Sequence, residues 1–296
     1  MSTEWQIISV GILPEVVDLA SRCLAFDGGL KETVSEGFLK KRYSGEGVLA
    51  YGAFSENLLV GAGSVRPSGE LSIITGFIDP RHRGRGLASS LLKLLVDEAR
   101  RRSPGVELET ESLSATGDAL LRSRGFRQTF AEDVMRCDLS QRPPTVDLPL
   151  DLVLECWETE NQGAFYEAYR GSFADRPGFP DWTQDQWVQW TVDDSFRPGQ
   201  SLVARRPTGD PIGFVTVADG FLIQAGCVPQ WRRRGVSRAL ATSALSRMAA
   251  TGEREAFVDV NINNDASMSF AKELGFATIA RRARYQNSGI DDPQSR

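Results

Sequence analysis

The sequence predicts an α/β fold built twice in tandem, and three observations carry that expectation. At 296 residues the chain has room for two domains of about 140 residues each. Strand-like and helix-like hydrophobic periods alternate along each half, the pattern of layered α/β domains. Landmarks also recur at a fixed offset: Pro80 and Pro229, like Gly86 and Gly235, lie 149 positions apart, and Gly125-Phe126 and Gly275-Phe276 lie 150 apart. A spacing shared by so many landmarks marks an internal duplication.

In the first half, Trp5 to Val10 reads as a strand and Pro14 to Phe26 as a helix, with Pro14 where a first turn tolerates it. Asp27-Gly28-Gly29 breaks that helix, and Lys31 to Tyr43 forms a second helical run. Val48 to Phe54 and Leu58 to Val65 make a hairpin turned at Ser55-Glu56-Asn57. Leu71 to Ile78 and Val106 to Glu111 are strands, and a helix from Ala115 stops at Gly125. Phe126 to Asp138 closes the half. The second half repeats the order: strand Leu152 to Trp157, helices Glu160 to Phe173 and Asp185 to Asp194, strands Ser201 to Arg205, Ile212 to Val217 and Phe221 to Val228. Helix Val236 to Met248, strand Ala256 to Ile262, helix Asp265 to Leu274 and strand Ala277 to Tyr285 complete it. The expected domains are therefore residues 1–140 and 151–288, joined by a Pro-rich linker, 141–150, and followed by a frayed polar tail, 289–296.

Apolar residues make up 41% of the chain, enough for two packed cores, and the net charge of −5 argues against a dedicated nucleic-acid binder. No apolar run is long enough to span a bilayer, and the first residues lack a signal-peptide pattern, so no membrane partner is expected. Cys23, Cys137, Cys156 and Cys227 lack metal-ligand spacing and read as buried free thiols in a reducing cytoplasm. His82 is the only histidine, which removes Ser-His-Asp and Cys-His chemistry and His-based metal sites; no metal is expected, and His82 itself reads as a solvent-facing loop residue.

The stretch Asp79 to Ser89, D-P-R-H-R-G-R-G-L-A-S, is a Gly-rich turn between a strand and a helix. Such a turn leaves backbone N–H groups unpaired where the helix dipole favours negative charge, and Arg81, Arg83 and Arg85 add positive charge. A polyphosphate is the natural guest. Val228 to Ser237 repeats the design.

Arg83-Gly84-Arg85-Gly86-Leu87-Ala88 fits the pattern [QR]-x-x-G-x-[GA], and this resembles motif A of the GCN5-related N-acetyltransferases (GNAT). Arg232-Arg233-Arg234-Gly235-Val236-Ser237 fits except for its final Ser. The resemblance spans nearly the whole chain as two copies and implies two tandem GNAT domains, each a mixed, mostly antiparallel sheet flanked by helices. It implies acetyl-CoA with its pyrophosphate on the amides of Arg83, Gly84, Arg85, Gly86, Leu87 and Ala88, or of Arg233, Arg234, Gly235, Val236 and Ser237. It also implies a pantetheine arm along Phe77 and Ile78, or Cys227 and Val228; Gly76 and Gly226 on those strands are expected to mark a bulge or a close backbone approach.

The family's later motif, N-x-x-A-x-x-L-Y-x-x-x-G-F, is kept in part from Asn264 to Phe276, with Asn264 a cofactor contact. Ala271 stands where the family often has the Tyr that protonates the CoA thiolate; in the first half Ser114 and Leu121 replace the Asn and the Tyr. Water or another phenol, Tyr285, is left as the acid. For the base, Glu109 and Asp259 occupy matching mid-strand places 150 apart, against the alternative of a solvated strand face. Tyr166, Tyr169, Arg170, Asp175 and Trp182 are the expected acceptor contacts, with Trp187 and Trp190 expected in the core. The arrangement is similar to that of the mycothiol synthases, whose second copy is the catalytic one, although the missing Tyr limits the likeness to architecture. The reading is an acetyl-CoA-dependent N-acetyltransferase acting on a primary amine of a small molecule through its second copy, as a monomer or homodimer. A CoA-binding scaffold or sensor without turnover, and a protein lysine acetyltransferase, are the alternatives.

Overall fold

The computed structural model describes residues 4–149, 151–176 and 179–287; the expected polar tail 289–296 lies outside them. The first copy runs β1 (Trp5–Ile8), α1 (Leu13–Asp27), α2 (Glu36–Tyr43), β2 (Leu49–Ser55), β3 (Leu58–Ser68), β4 (Leu71–Ile78), α3 (Leu87–Arg102), β5 (Gly105–Thr110), α4 (Ala115–Ser123) and β6 (Arg127–Asp138). The second runs β7 (Val153–Cys156), α5 (Gln162–Phe173), α6 (Gln184–Thr191), β8 (Leu202–Arg205), β9 (Pro211–Ala218), β10 (Phe221–Cys227), α7 (Val236–Ala250), β11 (Glu255–Asn261), α8 (Asp265–Glu273) and β12 (Ala277–Asn287). The helix expected over 31–43 is split, because Ser35 is extended and its hydroxyl caps α2 by accepting from the Phe38 amide.

The chain forms two compact units: residues 1–134 with 279 onwards, and residues 135–278. The division falls inside β6 and β12, whereas the sequence places it in the Pro-rich 141–150 segment. In unit 1 the strands lie in the order β1-β2-β3-β4-β5-β12-β6. β4 and β5 pair in parallel from Leu71↔Gly105 to Ile74↔Leu108. The end of β12 then lies antiparallel to β5, from Ala283↔Thr110 to Asn287↔Val106, so the last strand of the sequence completes the first unit. α1 buries Val16, Leu19 and Cys23 against Leu39, Leu59 and Ala62, each large aliphatic side chain contributing roughly 1.5–3 kcal/mol.

Unit 2 has the order β11-β10-β9-β8-β7 beyond the end of β6. On one face α7 packs Leu240, Ala244 and Met248 into the core. On the other, α5 and α6 bring Phe165, Tyr169 and Trp187 onto Phe214. β10 slips by one residue along β9 between Leu222↔Val217 and Gln224↔Thr216, which makes Ile223 a bulge. β4, its counterpart, stays in register along all of β3.

Of the bulge or close backbone approach expected at Gly76 and Gly226, these registers leave the close approach. Gly76 pairs with Gly63 and Gly226 with Phe214, both within regular ladder. Their role is close approach: a Cβ on Gly226 would lie 2.6 Å from the Ser172 Cβ, and one on Gly76 would lie 3.0 Å from the Ala62 carbonyl oxygen. No helix among the described residues is long and apolar enough to cross a membrane.

Candidate active site

The two Gly-rich turns share one backbone course. Gly86 (φ 82, ψ −5) and Gly235 (φ 85, ψ −6) are left-handed N-caps of α3 and α7, and no side chain caps either helix. Two residues earlier, Gly84 and Arg233 are also left-handed, with φ 74 and φ 60. Arg233 holds that conformation at about 1–2 kcal/mol relative to glycine. A Cβ built on Gly84, Gly86 or Gly235 meets nothing within 4 Å, so each turn presents open space above bare amides at a helix N-terminus. That is a fit for a pyrophosphate.

Arg83 and Arg232 hold the turns rather than reaching over them. Arg83 donates to the Ile78 carbonyl at 3.0 Å and through both terminal nitrogens to Asp27 at 2.6 Å. Arg232 donates to the Ser172 carbonyl at 3.0 Å and meets Asp175 at 3.4 Å. Asp175, expected to touch an acceptor, is thus committed to the turn's arginine. Arg85 and Arg233 are exposed, while Arg234 lies 5.2 Å from the Trp231 ring. The expectation that His82 faces solvent is corrected: it is half-buried, its Nδ1 3.7 Å from Asp79 Oδ1. Asp79 is buried and accepts from Arg22 Nε at 2.7 Å and from the Arg81 amide at 2.9 Å. Burial pushes its carboxyl up, but the Arg22 and Arg81 hydrogen bonds outweigh this and hold it below the usual carboxylate range. Val228 takes its place in the second turn. Burial pushes the neighbouring Cys227 thiol up to about 11.

Unit 2 contains a cavity of about 460 Å³, within the range of small-molecule sites. The bulge residue Ile223 and Asp259 of β11 line it from the sheet, and Asn264 lines it at the start of α8. Asn264 caps that helix, its side-chain oxygen accepting from the Ser267 amide at 3.1 Å. Ala271 lines the same cavity, so a methyl group stands where the family motif has a phenol. Tyr169, Trp182 and Trp190 supply an aromatic wall.

The other expected acceptor contacts lie outside that wall. Tyr166 donates to the Trp182 carbonyl at 2.6 Å, fastening the 179–182 segment, and Arg170 meets the exposed Asp181 at 3.4 Å. Trp187 is fully buried, as expected, and its indole N–H donates to Gln224 Oε1 beside the bulge at 3.2 Å. Trp190 departs from expectation. It is 53% exposed, with its ring 5.4 Å from that of Trp182. Spacing of three along a helix does not separate a core face from its border, so the sequence carried no signal that parts these two tryptophans.

The matching place in unit 1 is a smaller cavity of about 340 Å³, lined by Glu109 and by the charged side chains of Arg42, Glu111, Glu132, Arg282 and Arg284. Glu109 Oε2 accepts from Arg66 and lies 3.6 Å from Arg42, and Arg284 lies 3.8 Å from Oε1. Arg42 also reaches Glu111 at 2.9 Å. Glu109 is thus surrounded by three guanidiniums, with its hydrogen bond to Arg66 at Oε2. Tyr285 belongs to unit 1 as well, and is not a wall of the unit 2 cavity. Its buried hydroxyl donates to Asp118 at 2.5 Å and accepts from Gln128 at 3.0 Å. Burial, then Asp118, pushes it up to about 12.

A sequence profile of the Acetyltransferase (GNAT) family matches residues 13–126 and again 157–276. The N-alpha-acetyltransferase 30 of Schizosaccharomyces pombe is 30% identical over 76 residues, which are 26% of this chain and 51% of the relative, so the chain matches about half of that protein's length. A GCN5-related N-acetyltransferase from Sphaerobacter thermophilus has the same fold, with a TM-score of 0.73 at 20% identity over 98% of this chain and 97% of the other. A tandem GNAT protein from the clavulanic acid biosynthesis pathway is similar over 98% of this chain and 100% of its own, with a TM-score of 0.63 at 16% identity.

Proposed function

The chain belongs to the acetyltransferase (GNAT) family through both of its copies, and on that premise we propose that unit 2 transfers an acetyl group from acetyl-CoA to a primary amine of a small molecule. One contrast carries the assignment. Asp259 lines an aromatic-walled cavity of about 460 Å³ in unit 2, whereas its counterpart Glu109 lines a smaller one of about 340 Å³ whose walls are mostly charged, with Arg42, Arg66 and Arg284 beside it. A concave aromatic wall of this size suits a small-molecule acceptor.

Acetyl-CoA supplies the acetyl group as a thioester. The amides of Arg233 to Ser237 are the donors for its pyrophosphate, and the backbone of Cys227 and Val228, with Asn264, borders the path of the pantetheine arm. A bulge leaves its extra residue out of the ladder, so the Ile223 amide is a donor for polarising a carbonyl in the cavity. As the N–C bond forms and the C–S bond breaks, Asp259 takes the proton shed by the amine, directly or through one water. Ala271 has no proton to give the departing thiolate, and solvent supplies it. The free cysteines Cys23, Cys137 and Cys227, all buried, support a cytoplasmic setting.

Thiol release by the purified chain with acetyl-CoA and a panel of amines tests this reading. Release that depends on an amine supports it. Acetyl-CoA binding with no release for any amine would instead support a scaffold or sensor without turnover.

A further inference from the structure

The cavity of unit 2 carries more information than its acid. Its α5–α6 side is built from Tyr169, Phe179, Trp182 and Trp190, and these are not equally used by the fold. Tyr169 is consumed by packing, stacked on Trp187 at 5.1 Å. Trp190 leaves half its surface exposed beside Trp182. A large aromatic face left uncovered at the rim of a cavity costs solvation and stabilises nothing in the free protein. The first copy has no such wall: between α1 and α2 it offers Phe26 and Phe38, and Phe38 lies under the Arg42 guanidinium at 3.7 Å.

Charge is divided between two places in the same cavity. Asp259 is the only carboxylate among its described walls, and Arg176 the only guanidinium. Arg176 lies 4.1 Å over the Phe173 ring, and among the described residues no carboxylate is within ion-pair distance of it. Its neighbour Asp175 is turned to Arg232. A guanidinium held on an aromatic face, near Asp175 but without an ion pair among the described residues, can receive an anion from outside the protein.

We propose that the acceptor is a primary amine that carries an aromatic ring and also a carboxylate or similar anion: the ring held by Trp182 and Trp190, the anion by Arg176, and the amine presented toward Asp259. This rests on the assignment of acetyl transfer to unit 2 and specifies its substrate class. The aromatic wall supplies area at little entropic cost, the arginine selects the anion, and together they exclude short aliphatic amines.

Three probes separate these elements: phenylalanine has ring, amine and carboxylate, phenethylamine lacks the carboxylate, and alanine lacks the ring. Binding of each to the CoA-loaded full chain is measured by calorimetry, and acetyl transfer by thiol release. Phenylalanine is expected to bind about tenfold or more tighter than either of the others. Arg176→Gln is expected to erase the difference between phenylalanine and phenethylamine, and Trp190→Ala the difference between phenylalanine and alanine. Equal losses for all three probes in Arg176→Gln, weakened acetyl-CoA binding in that variant, or a preference for alanine would overturn the proposal. Binding in the expected order with no thiol release would leave the ligand class standing and remove the catalytic reading. Release with alanine favoured would do the reverse.

Discussion

The hydroxyl of Tyr285 donates to Asp118 at 2.5 Å, across 167 positions of sequence, within unit 1. Gln128 donates to the same oxygen at 3.0 Å, so a residue near the end of the chain ties α4 and β6 of the first copy together. Tyr285→Phe leaves both half-buried partners without it, Asp118 keeping Arg122. The expected loss is about 1–2 kcal/mol of stability in urea unfolding, with turnover unchanged at temperatures where the variant is folded. A fall in kcat without a fall in stability would return Tyr285 to the role of proton donor.

Asp79 gives unit 1 an acid sensitivity that the matching position of unit 2 lacks. Its carboxyl is held below its unfolded value, chiefly by Arg22, against the opposing effect of burial. A depressed carboxylate contributes stability that is present above the unfolded value, about 3.9, and is lost as pH falls through the folded one. Calorimetry between pH 6 and pH 2 (about two units either side of the unfolded value of about 3.9) is expected to show unit 1 losing stability, with the loss reduced in Asp79→Asn. Val228 holds the matching place in unit 2 and contributes no such dependence. An acid response identical in wild type and Asp79→Asn would remove Asp79 as its source.

Much of this was legible in the sequence because it is local. The strand Leu71–Ile78, the left-handed Gly86 and Gly235 and the helices they begin follow from short patterns whose physics lies in neighbouring residues. What was hidden depends on distant partners. Nothing in Ala277 to Asn287 says that its end will pair with β5 of the first copy, since an alternating strand fits either edge. Glu109 reads as a free strand carboxylate until Arg42, Arg66 and Arg284 arrive from three separate parts of the chain. Gly226 left a bulge and a close approach both open; its missing side chain makes room for Ser172, and the bulge falls on Ile223, a β-branched residue with no local sign of irregularity.

The glycine caps offer a direct comparison of the two turns. Any side chain at Gly86 or Gly235 meets a positive φ, which costs about 1–2 kcal/mol, and Ala measures that cost alone. A glutamate adds a negative charge where the pyrophosphate is to sit. Gly235→Glu is expected to lower kcat/KM about a hundredfold or more, well beyond Gly235→Ala. Gly86→Glu is expected to remove acetyl-CoA from unit 1, read by calorimetry as a change in stoichiometry. Equal effects of Ala and Glu at Gly235 would show that strain, rather than an anion, is what this turn feels.

The roles given to Asp259 and Glu109 can be separated by one pair of variants. Asp259→Asn keeps the shape of the cavity wall but cannot accept a proton. If Asp259 is the base, kcat falls by roughly 10²–10⁴, acetyl-CoA affinity is kept, and the pH–rate profile loses the limb on which a carboxylate must be ionised. Glu109→Gln should act elsewhere. It strips the charge from a carboxylate shared by three guanidiniums, with an expected cost of about 1–3 kcal/mol in stability, and it leaves the pH–rate profile in place. The decisive readout is the shape of that profile rather than the rate, because a folding defect lowers activity at every pH while loss of the base removes one limb. A profile altered by Glu109→Gln and untouched by Asp259→Asn would move catalysis to the first copy, and the acceptor site to the charged cavity beside Glu109.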